Sequence, residues 1–269
     1  MCNLIKSIIK KCFELFGYEV RKPGALARRR NLYDFLDHIK RLGFEPQTII
    51  DVGVANGTIS LYEKFPNSTH LLIEPLSEYE QIIKKICQKY NASYILAAAG
   101  SNSGKIKINV HPDLSSSSIY KEKESKFINS ISREVTQIRI DDVCKEKCLK
   151  GPYLIKVDVQ GAELDVLKGT TNIINNVEVV ILEVSLFKLY QGGPQFYDVI
   201  EYMYKKGFVV YDIFGGQHRQ FDGALIQLDV AFVKEKGPFR LYYFVDIKAD
   251  REKRIEKKIK KLKKLGIKI

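Results

Sequence analysis

The stretch QTIIDVGVANG, residues 47–57, joins a run of apolar residues to a turn that contains two glycines. An apolar run bounded by a turn predicts a buried strand over residues 47–51, and a helix is predicted from Thr58. A strand, a glycine-rich turn and a helix in this order are typical of an open α/β sheet, where ligands bind beyond the carboxyl ends of the strands. This stretch therefore predicts an α/β fold.

Strands and helices continue to alternate along the chain on both sides of this stretch. Helices are predicted over residues 25–42, 77–90 and 195–206, and strands over residues 70–74, 94–98, 153–158, 177–183, 208–213 and 225–233. Two further extended runs cover residues 105–110 and 135–140. The alternation predicts a Rossmann-like, doubly wound, mostly parallel seven-stranded sheet covered by helices on both faces. A hairpin joined by a turn at Gly215 and Gly216 and the loop to Gly223 is expected to add an antiparallel strand.

The predicted sheet occupies the middle of the chain and leaves a helical extension at each end. We predict a helical N-terminal extension over residues 1–46, a Rossmann-like domain over residues 47–234 and a basic C-terminal helix or tail over residues 235–269. The first 16 residues place apolar side chains at helical spacing, with lysines between them. This pattern fits a helix lying on an anionic membrane and a helix packed on the domain equally well.

The net charge of +12 is concentrated in the two ends of the chain. Residues 1–30 carry a charge of +6 and residues 248–269 a charge of +8, which leaves −2 for residues 31–247. A nucleic-acid-binding protein is expected to carry its basic residues around its binding surface. The charge distribution therefore argues against a nucleic-acid partner and leaves open a peripheral contact of the basic tails with an anionic membrane.

Two other compositional features bear on location and metal binding. No apolar stretch reaches the roughly 18 residues of a membrane span, and the N-terminus lacks the features of a signal peptide, so we expect a cytoplasmic protein. The five cysteines are an odd number without CxxC spacing, which indicates neither a disulfide framework nor a structural zinc site.

The acidic residues that end the first two strands indicate which cofactor the turn binds. Glu74 follows Asp51 by 23 residues, close to the offset at which a carboxylate binds ribose hydroxyls. Ala55 stands where a dinucleotide-binding turn needs its middle glycine, and Asp51 would repel a pyrophosphate. A cofactor with an ammonium and a sulfonium group would instead be attracted. We therefore predict S-adenosylmethionine as the cofactor.

Each part of this cofactor has predicted contacts. Gly53 and Gly57 let the backbone approach the methionine part, while Asp51 and Asn56 hold its charged ends. Glu74 is expected to bind both ribose hydroxyls. Residues 97–100, which include Ala98, are expected to border the adenine.

The stretch KVDVQGAELDVLKG, residues 156–169, closes the next strand with a second acidic cluster. Together with residues 51–57 and 179–183, it resembles the FkbM family of S-adenosylmethionine-dependent methyltransferases over about residues 47–233. The resemblance implies a class I methyltransferase fold and O-methylation, commonly of a sugar hydroxyl on a glycan, glycolipid or secondary metabolite. It also implies that the serine-rich loop containing Ser117 forms a lid over the cofactor.

Asp158 is the preferred catalytic residue. Strands one and four are expected to be neighbours, so Asp158 should face the same crevice as Asp51, contact the cofactor and orient the acceptor hydroxyl or accept its proton. His218 and His111 are alternative bases. Glu163 is implied by the family motif as a catalytic residue, either as an anchor of the cofactor loop or as a contact to the acceptor. A divalent metal is left open, since the sequence contains no tight ligand cluster.

Two rival functions follow from the same sequence. A nucleic-acid methyltransferase would need basic and aromatic residues around the crevice, which the central part of the chain offers sparsely. A membrane-associated scaffold that retains a cofactor-binding fold without activity is the other rival, since a fold alone does not establish catalysis. The identity of the acceptor and the oligomeric state are not encoded in any motif that we identify.

Overall fold

The computed structural model describes residues 9, 11–13, 15, 29–123, 129–244, 248–265 and 267. The described helices are α1 Leu32–Arg41, α2 Ile59–Lys64, α3 Glu80–Lys89, α4 Ile140–Glu146, α5 Glu163–Lys168, α6 Phe196–Lys205 and α7 Lys248–Lys264. The strands are β1 Thr48–Val52, β2 Thr69–Glu74, β3 Ala92–Leu96, β4 Ala98–Ala99, β5 Gly104–Val110, β6 Ile131–Ile138, β7 Tyr153–Val157, β8 Val177–Ser185, β9 Phe208–His218 and β10 Leu225–Lys234.

Seven strands form the central sheet, in the order β3-β2-β1-β7-β8-β10-β9. The first five are parallel, and β10 lies antiparallel between β8 and β9. This arrangement confirms the predicted α/β fold with a mostly parallel seven-stranded sheet. The order of the strands reverses between β1 and β7, so the crevice of a doubly wound sheet lies at the carboxyl ends of these two strands.

The core consists of two apolar clusters, one on each face of the central sheet. Successive side chains of a strand point to opposite faces, and accordingly Ile49 packs in one cluster and Ile50 in the other. Every residue of β1 and of β7 is buried, as expected for parallel strands covered on both faces. The two central strands therefore hold the crevice on a rigid base.

The small second sheet, in the order β4-β6-β5, corrects one sequence prediction. The third strand was expected to run through residue 98, but β3 ends at Leu96, and Ala98 lies in β4, which pairs with β6. The extended run predicted over residues 105–110 lies in β5, and the run predicted over residues 135–140 overlaps β6, which ends at Ile138 before α4 begins at Ile140. The second sheet places the chain between residues 98 and 138 over the end of the central sheet.

The predicted turn at Gly215 and Gly216 is wrong. Both glycines lie inside β9, which continues to His218, and the hairpin loop follows it. Their φ angles of +67° and +123° accompany register shifts in the pairing of β9 with β10. The glycines therefore form an irregularity of the strand, because only glycine adopts such angles without strain.

The helix predicted over residues 25–42 begins at Leu32. Asn31 has extended backbone angles, and its side chain accepts a hydrogen bond from the Asp34 backbone N–H, so it is the N-cap. Residues 25–28 lie outside the described residues. So does most of the predicted N-terminal amphipathic helix, of which residues 9, 11–13 and 15 are helical. Within the described ranges, no helix has the length and apolarity needed to cross a membrane.

Candidate active site

The carboxyl ends of β1, β2 and β7 meet around a cavity of about 630 Å³, which we call the inner cavity. Its lining includes Gly53, Glu74, Ala98, Ser117 and Asp158. This volume includes space open to solvent. Of the eight cofactor-binding residues predicted from the sequence, the structure brings these five together.

Gly53 occupies the closest approach between the loops that follow β1 and β7. Its φ is +78°, and a Cβ built on it would lie 1.8 Å from the carbonyl oxygen of Asp158. No side chain larger than hydrogen fits here without movement of the backbone. Two physical reasons therefore explain why this residue is glycine: its left-handed backbone conformation and its contact with the neighbouring loop.

Glu74 fastens the glycine-rich turn to the end of β2. Its buried carboxylate accepts hydrogen bonds from the backbone N–H groups of Ala55, at 2.9 Å, and of Leu76, at 3.0 Å. Burial raises the pKa of this carboxyl above its ordinary value, against the lowering effect of the two hydrogen bonds. Glu74 therefore shapes the inner cavity as well as lining it.

Asp51 lies beneath the inner cavity and does not line it. The carboxylate is fully buried, and Oδ2 accepts a hydrogen bond from the Tyr62 hydroxyl. The other oxygen, Oδ1, has no hydrogen-bond partner among the described residues. The pKa of Asp51 is above its ordinary value, because the effect of burial outweighs the lowering effect of the nearby Lys156 ammonium. A buried acceptor without a donor is a position where a cationic ligand group would be stabilised.

Asn56 and Gly57 are near the inner cavity in sequence but do not line it. Asn56 is exposed to solvent. Gly57 has a φ of +96°, and a Cβ there would meet the Ile86 side chain at 2.4 Å, so the close packing of α3 explains this glycine. The structure offers no cavity contact for either residue.

Asp158 occupies the position predicted for it, at the carboxyl end of β7. Its Oδ2 accepts a hydrogen bond from Lys156 Nζ at 3.3 Å, and its Oδ1 accepts one from Gln160 Nε2 at 3.0 Å. Burial lowers the pKa of Lys156, but the carboxylates of Asp158 and Asp51 outweigh this effect and hold it above its ordinary value. The Lys156 ammonium therefore keeps its positive charge beside the carboxylates of Asp158 and Asp51.

Glu163, predicted as a catalytic residue, lines neither this cavity nor the one described next. Its buried Oε1 accepts hydrogen bonds from the backbone N–H groups of Gly161, at 3.0 Å, and Val159, at 3.4 Å. Burial raises the pKa of Glu163 to about 7. Its contacts are those of an anchor that fixes the loop carrying Asp158.

The two candidate histidines also lie away from the inner cavity. His218 ends β9 and is exposed. His111 Nδ1 lies 3.2 Å from the backbone N of Asp113 and 2.7 Å from its carboxylate, next to the serine-rich loop. Neither imidazole faces the space around Asp158, so the structure does not support either as a base.

A second, outer cavity opens beside Asp158, and five residues line both cavities: Gly53, Ala55, Ser115, Asp158 and Gln160. The outer cavity encloses about 1720 Å³, including space open to solvent. Its side chains include those of Glu183, Phe187, Tyr190 and Gln227. The serine-rich loop borders both cavities, and Ser118 donates a hydrogen bond to the Gln160 carbonyl at 2.7 Å.

Sequence reasoning missed the polar group of Gln160, Glu183 and Gln227. Glu183 lies near the end of β8, the neighbour of β7, so the rule that singled out Asp158 could have found it. Gln227 gave no such signal, because it lies on the antiparallel strand β10, whose insertion beside β8 is a property of the tertiary fold. In the described part of the chain, no group of three or more acidic, histidine or cysteine side chains could hold a metal ion.

Comparison with known proteins identifies the family to which this chain belongs. Residues 51–210 match the model of the methyltransferase FkbM domain, which is more than half of the chain. The chain belongs to the FkbM methyltransferase family. Membership confirms the resemblance found in the sequence and the prediction of a methyltransferase domain.

The FkbM domain also has individual relatives. It is 28% identical over 160 residues to "Methyltransferase 1" of Beauveria bassiana (strain ARSEF 2860), a match that covers 50% of this chain and 64% of that protein. The chain thus spans under two thirds of the length of this relative.

Two solved structures have similar chain paths at low sequence identity. Precorrin-6y C5,15-methyltransferase from Geobacter metallireducens GS-15 has a TM-score of 0.41 at 10% identity, covering 78% of this chain and 93% of that one. Magnesium protoporphyrin IX methyltransferase from Synechocystis PCC 6803, solved with bound S-adenosylmethionine, has a TM-score of 0.42 at 10% identity, covering 85% and 96%.

The residues of this FkbM domain fit S-adenosylmethionine, the cofactor predicted from the sequence. The carboxylates of Glu74 and Asp158 line the inner cavity, and Asp51 Oδ1 is a buried acceptor without a donor among the described residues. Acidic groups of this kind attract a cofactor that carries an ammonium and a sulfonium group, and would repel a pyrophosphate. The inner cavity is therefore the candidate cofactor site of the domain.

Proposed function

We propose that this FkbM protein is an S-adenosylmethionine-dependent O-methyltransferase that acts on a sugar hydroxyl of a glycan, glycolipid or secondary metabolite. The observation that carries the proposal is the outer cavity, which joins the inner cavity at Asp158. A donor in one cavity and an acceptor in the other would meet at this carboxylate. Holding two reactants in line is a large part of the acceleration in such a displacement.

The chemistry of the outer cavity suits a sugar. Its lining combines amide groups, from Gln160, Gln217 and Gln227, with the aromatic rings of Phe187 and Tyr190. Sugars present hydroxyl groups that donate and accept hydrogen bonds, and ring faces of C–H groups that pack on aromatic side chains. The size of the outer cavity leaves room for an acceptor larger than a single small alcohol.

The inner cavity would hold the methyl donor through the residues predicted for it. Glu74 is proposed to bind the ribose hydroxyls, Gly53 to admit the methionine part and Ala98 to border the adenine. The cofactor supplies an electrophilic methyl group on sulfur. Asp158, at the junction of the cavities, orients the acceptor hydroxyl.

Calorimetric titration of S-adenosylmethionine is the first test. We expect binding by the full chain and a tenfold or greater loss of affinity in Asp51→Ala and Glu74→Ala. Asp142→Ala is the matched control, because this acid is exposed and lines neither cavity. Absence of binding by the unmodified protein would refute the proposal.

The acceptor is tested with a panel of methyl glycosides of common hexoses and deoxyhexoses, with the products identified by mass. We expect a mass increase of one methyl group on at least one glycoside, and its loss in Asp158→Ala. Selective, tight RNA binding in a gel shift at physiological salt would favour the nucleic-acid rival instead. Cofactor binding without transfer to any panel member, glycan or RNA would favour the scaffold rival.

Features of the C-terminal segment support the proposal of a further partner, the anionic face of a cytoplasmic membrane. Leu241, Tyr242, Tyr243 and Phe244 are consecutive and between 65% and 81% exposed. The helix α7 that follows is rich in lysine. Aromatic side chains beside a basic helix are typical of segments that lie at an anionic lipid surface. We propose peripheral membrane contact through residues 241–244 and helix α7.

A further inference from the structure

Glu183 lines the outer cavity, and only one of its two carboxylate oxygens accepts hydrogen bonds from described residues. Its Oε2 accepts hydrogen bonds from Gln160 Nε2 at 2.8 Å and from Gln227 Nε2 at 2.9 Å. No described residue donates a hydrogen bond to Oε1. The side chain is only partly exposed, on a strand whose other residues are mostly buried, so its position is fixed by its surroundings.

The side-chain amide of Gln160, which donates one of these hydrogen bonds, is itself held in one orientation. The Oε1 atom of Gln160 accepts a hydrogen bond from the Tyr190 hydroxyl at 2.8 Å, so the amide nitrogen faces Asp158 and Glu183. Gln160 also has a left-handed backbone with a φ of +58°. Residues other than glycine are strained in this conformation, and such strained residues concentrate at functional sites. One amide nitrogen thereby connects the two carboxylates that border the outer cavity.

Asp158 and Glu183 differ in what they can offer an acceptor. Both oxygens of Asp158 already accept hydrogen bonds, one from Lys156 and one from Gln160. Glu183 has both of its hydrogen bonds on a single oxygen. A base needs a free lone pair within reach of the proton that it removes. Each oxygen of Asp158 keeps one lone pair beside its hydrogen bond, whereas Glu183 Oε1 offers both of its lone pairs to an acceptor.

We propose that Glu183 is the catalytic base of methyl transfer, with Gln160 and Gln227 as the residues that position it. This inference rests on the proposed O-methyltransferase function and replaces Asp158 as the proton acceptor, leaving Asp158 to orient the hydroxyl. The acceptor oxygen forms a bond to the methyl carbon as the carbon–sulfur bond breaks, and the electron pair of that bond stays on sulfur. The hydroxyl proton passes to Glu183 Oε1 and leaves through the solvent-open outer cavity.

The electrostatics of the site agree with this role. Burial raises the pKa of Glu183 to about 8, and the neighbouring carboxylates of Asp158, Asp229 and Glu163 contribute in the same direction, against the hydrogen bond from Gln160. Lys156 pairs with Asp158. The outer cavity also contains the charged side chains of Glu122, Lys123, Lys188 and Arg219. A carboxyl group with a raised pKa is a stronger base than an ordinary glutamate, once it is ionised.

The sign of the pH dependence follows from this shift. A carboxyl group is neutral below its pKa and charged above it, so the basic form of Glu183 accumulates as the pH rises. A positive charge in the inner cavity favours the charged carboxylate and lowers its pKa. S-adenosylmethionine carries a sulfonium charge and S-adenosylhomocysteine does not, so the two ligands should shift the titration of Glu183 differently.

The first experiment needs no acceptor. The side-chain carboxyl carbons of glutamate are labelled with ¹³C in the full chain, and the signal of Glu183 is identified by its absence in Glu183→Gln. We expect the signal to titrate well above pH 4.5 in the free protein, and at a lower pH with S-adenosylmethionine than with S-adenosylhomocysteine. A midpoint near 4.5 in the free protein, or the same midpoint with both ligands, would overturn the proposal.

The second experiment measures turnover with the glycoside found in the panel. We expect Glu183→Gln to lower kcat by at least a hundredfold, the usual scale for loss of a general base, with KM and cofactor affinity within threefold. The rise of kcat with pH should also disappear. The matched control is Glu178→Gln, which removes a carboxylate at the other end of β8, where it pairs with Lys234, and should leave turnover unchanged.

The outcomes separate this inference from the function on which it rests. Full kcat and an unchanged pH profile in Glu183→Gln would overturn the inference while leaving the methyltransferase intact. A failure to bind S-adenosylmethionine would instead refute the proposed function. If no glycoside in the panel is methylated, the titration of the free protein still decides whether Glu183 has the properties of a base.

Discussion

Replacement of Gly53 by alanine tests whether the approach of two loops defines the cofactor site. Gly53 follows β1 with a φ of +78°, and an added Cβ would lie 1.8 Å from the Asp158 carbonyl oxygen. The contact partner is backbone, so it cannot move aside as a flexible side chain would. We expect the substitution to separate the ends of β1 and β7 and to displace Asp158.

Two costs add to give the expected loss of stability. The left-handed conformation costs an alanine about 1 to 2 kcal/mol relative to glycine. Forcing a methyl group into a closed contact costs about a further 1 to 3 kcal/mol. Gly43→Ala isolates the first cost, because Gly43 has a φ of +86° and its added Cβ would meet nothing within 4 Å. Gly53→Ala should therefore be the less stable variant by about 1 to 3 kcal/mol.

Urea unfolding of both variants measures this difference, and calorimetry with S-adenosylmethionine measures its effect on the site. We expect Gly43→Ala to bind the cofactor as the unmodified protein does, and Gly53→Ala to bind at least tenfold more weakly. Equal stability of the two variants, together with unchanged cofactor affinity in Gly53→Ala, would refute the argument that the loop contact builds the site.

Three further predictions concern other parts of the molecule. Glu74→Ala removes the acceptor of one buried and one partly buried backbone N–H group, so the free energy of unfolding in urea should fall by about 2 to 4 kcal/mol; a loss below 1 kcal/mol would contradict this. Asp141→Ala removes a fully buried carboxylate that pairs with Arg139, so the free energy of unfolding, measured by thermal melting, should fall by about 3 to 5 kcal/mol. Cofactor affinity should be retained there, and a weakened affinity would mean that the site depends on this pair. Replacement of the aromatic residues 242–244 by serine should release the full chain from sedimenting phosphatidylglycerol vesicles, with phosphatidylcholine vesicles as the control; unchanged sedimentation would exclude this segment as the anchor.

The sequence by itself determined the chemistry that is local to the chain. The apolar run of β1, its glycine-rich turn and the acid at the end of β2 are neighbours in sequence or recur at a fixed offset, so their pattern predicted both the α/β fold and the acidic cofactor site. The motif of residues 156–169 identified the family for the same reason, because the end of one strand, one turn and one short helix contain all of it.

Only the tertiary structure decided which acid faces which space. Asp51 follows the predicted pattern but is turned beneath the inner cavity to Tyr62, and Glu163 is used by its own loop. Glu183 and Gln227 meet because β10 inserts antiparallel beside β8, a pairing that joins residues 44 positions apart. Strand order and the direction of a buried side chain depend on contacts between distant segments, which no local periodicity encodes. The assignment of the base therefore had to come from the folded molecule.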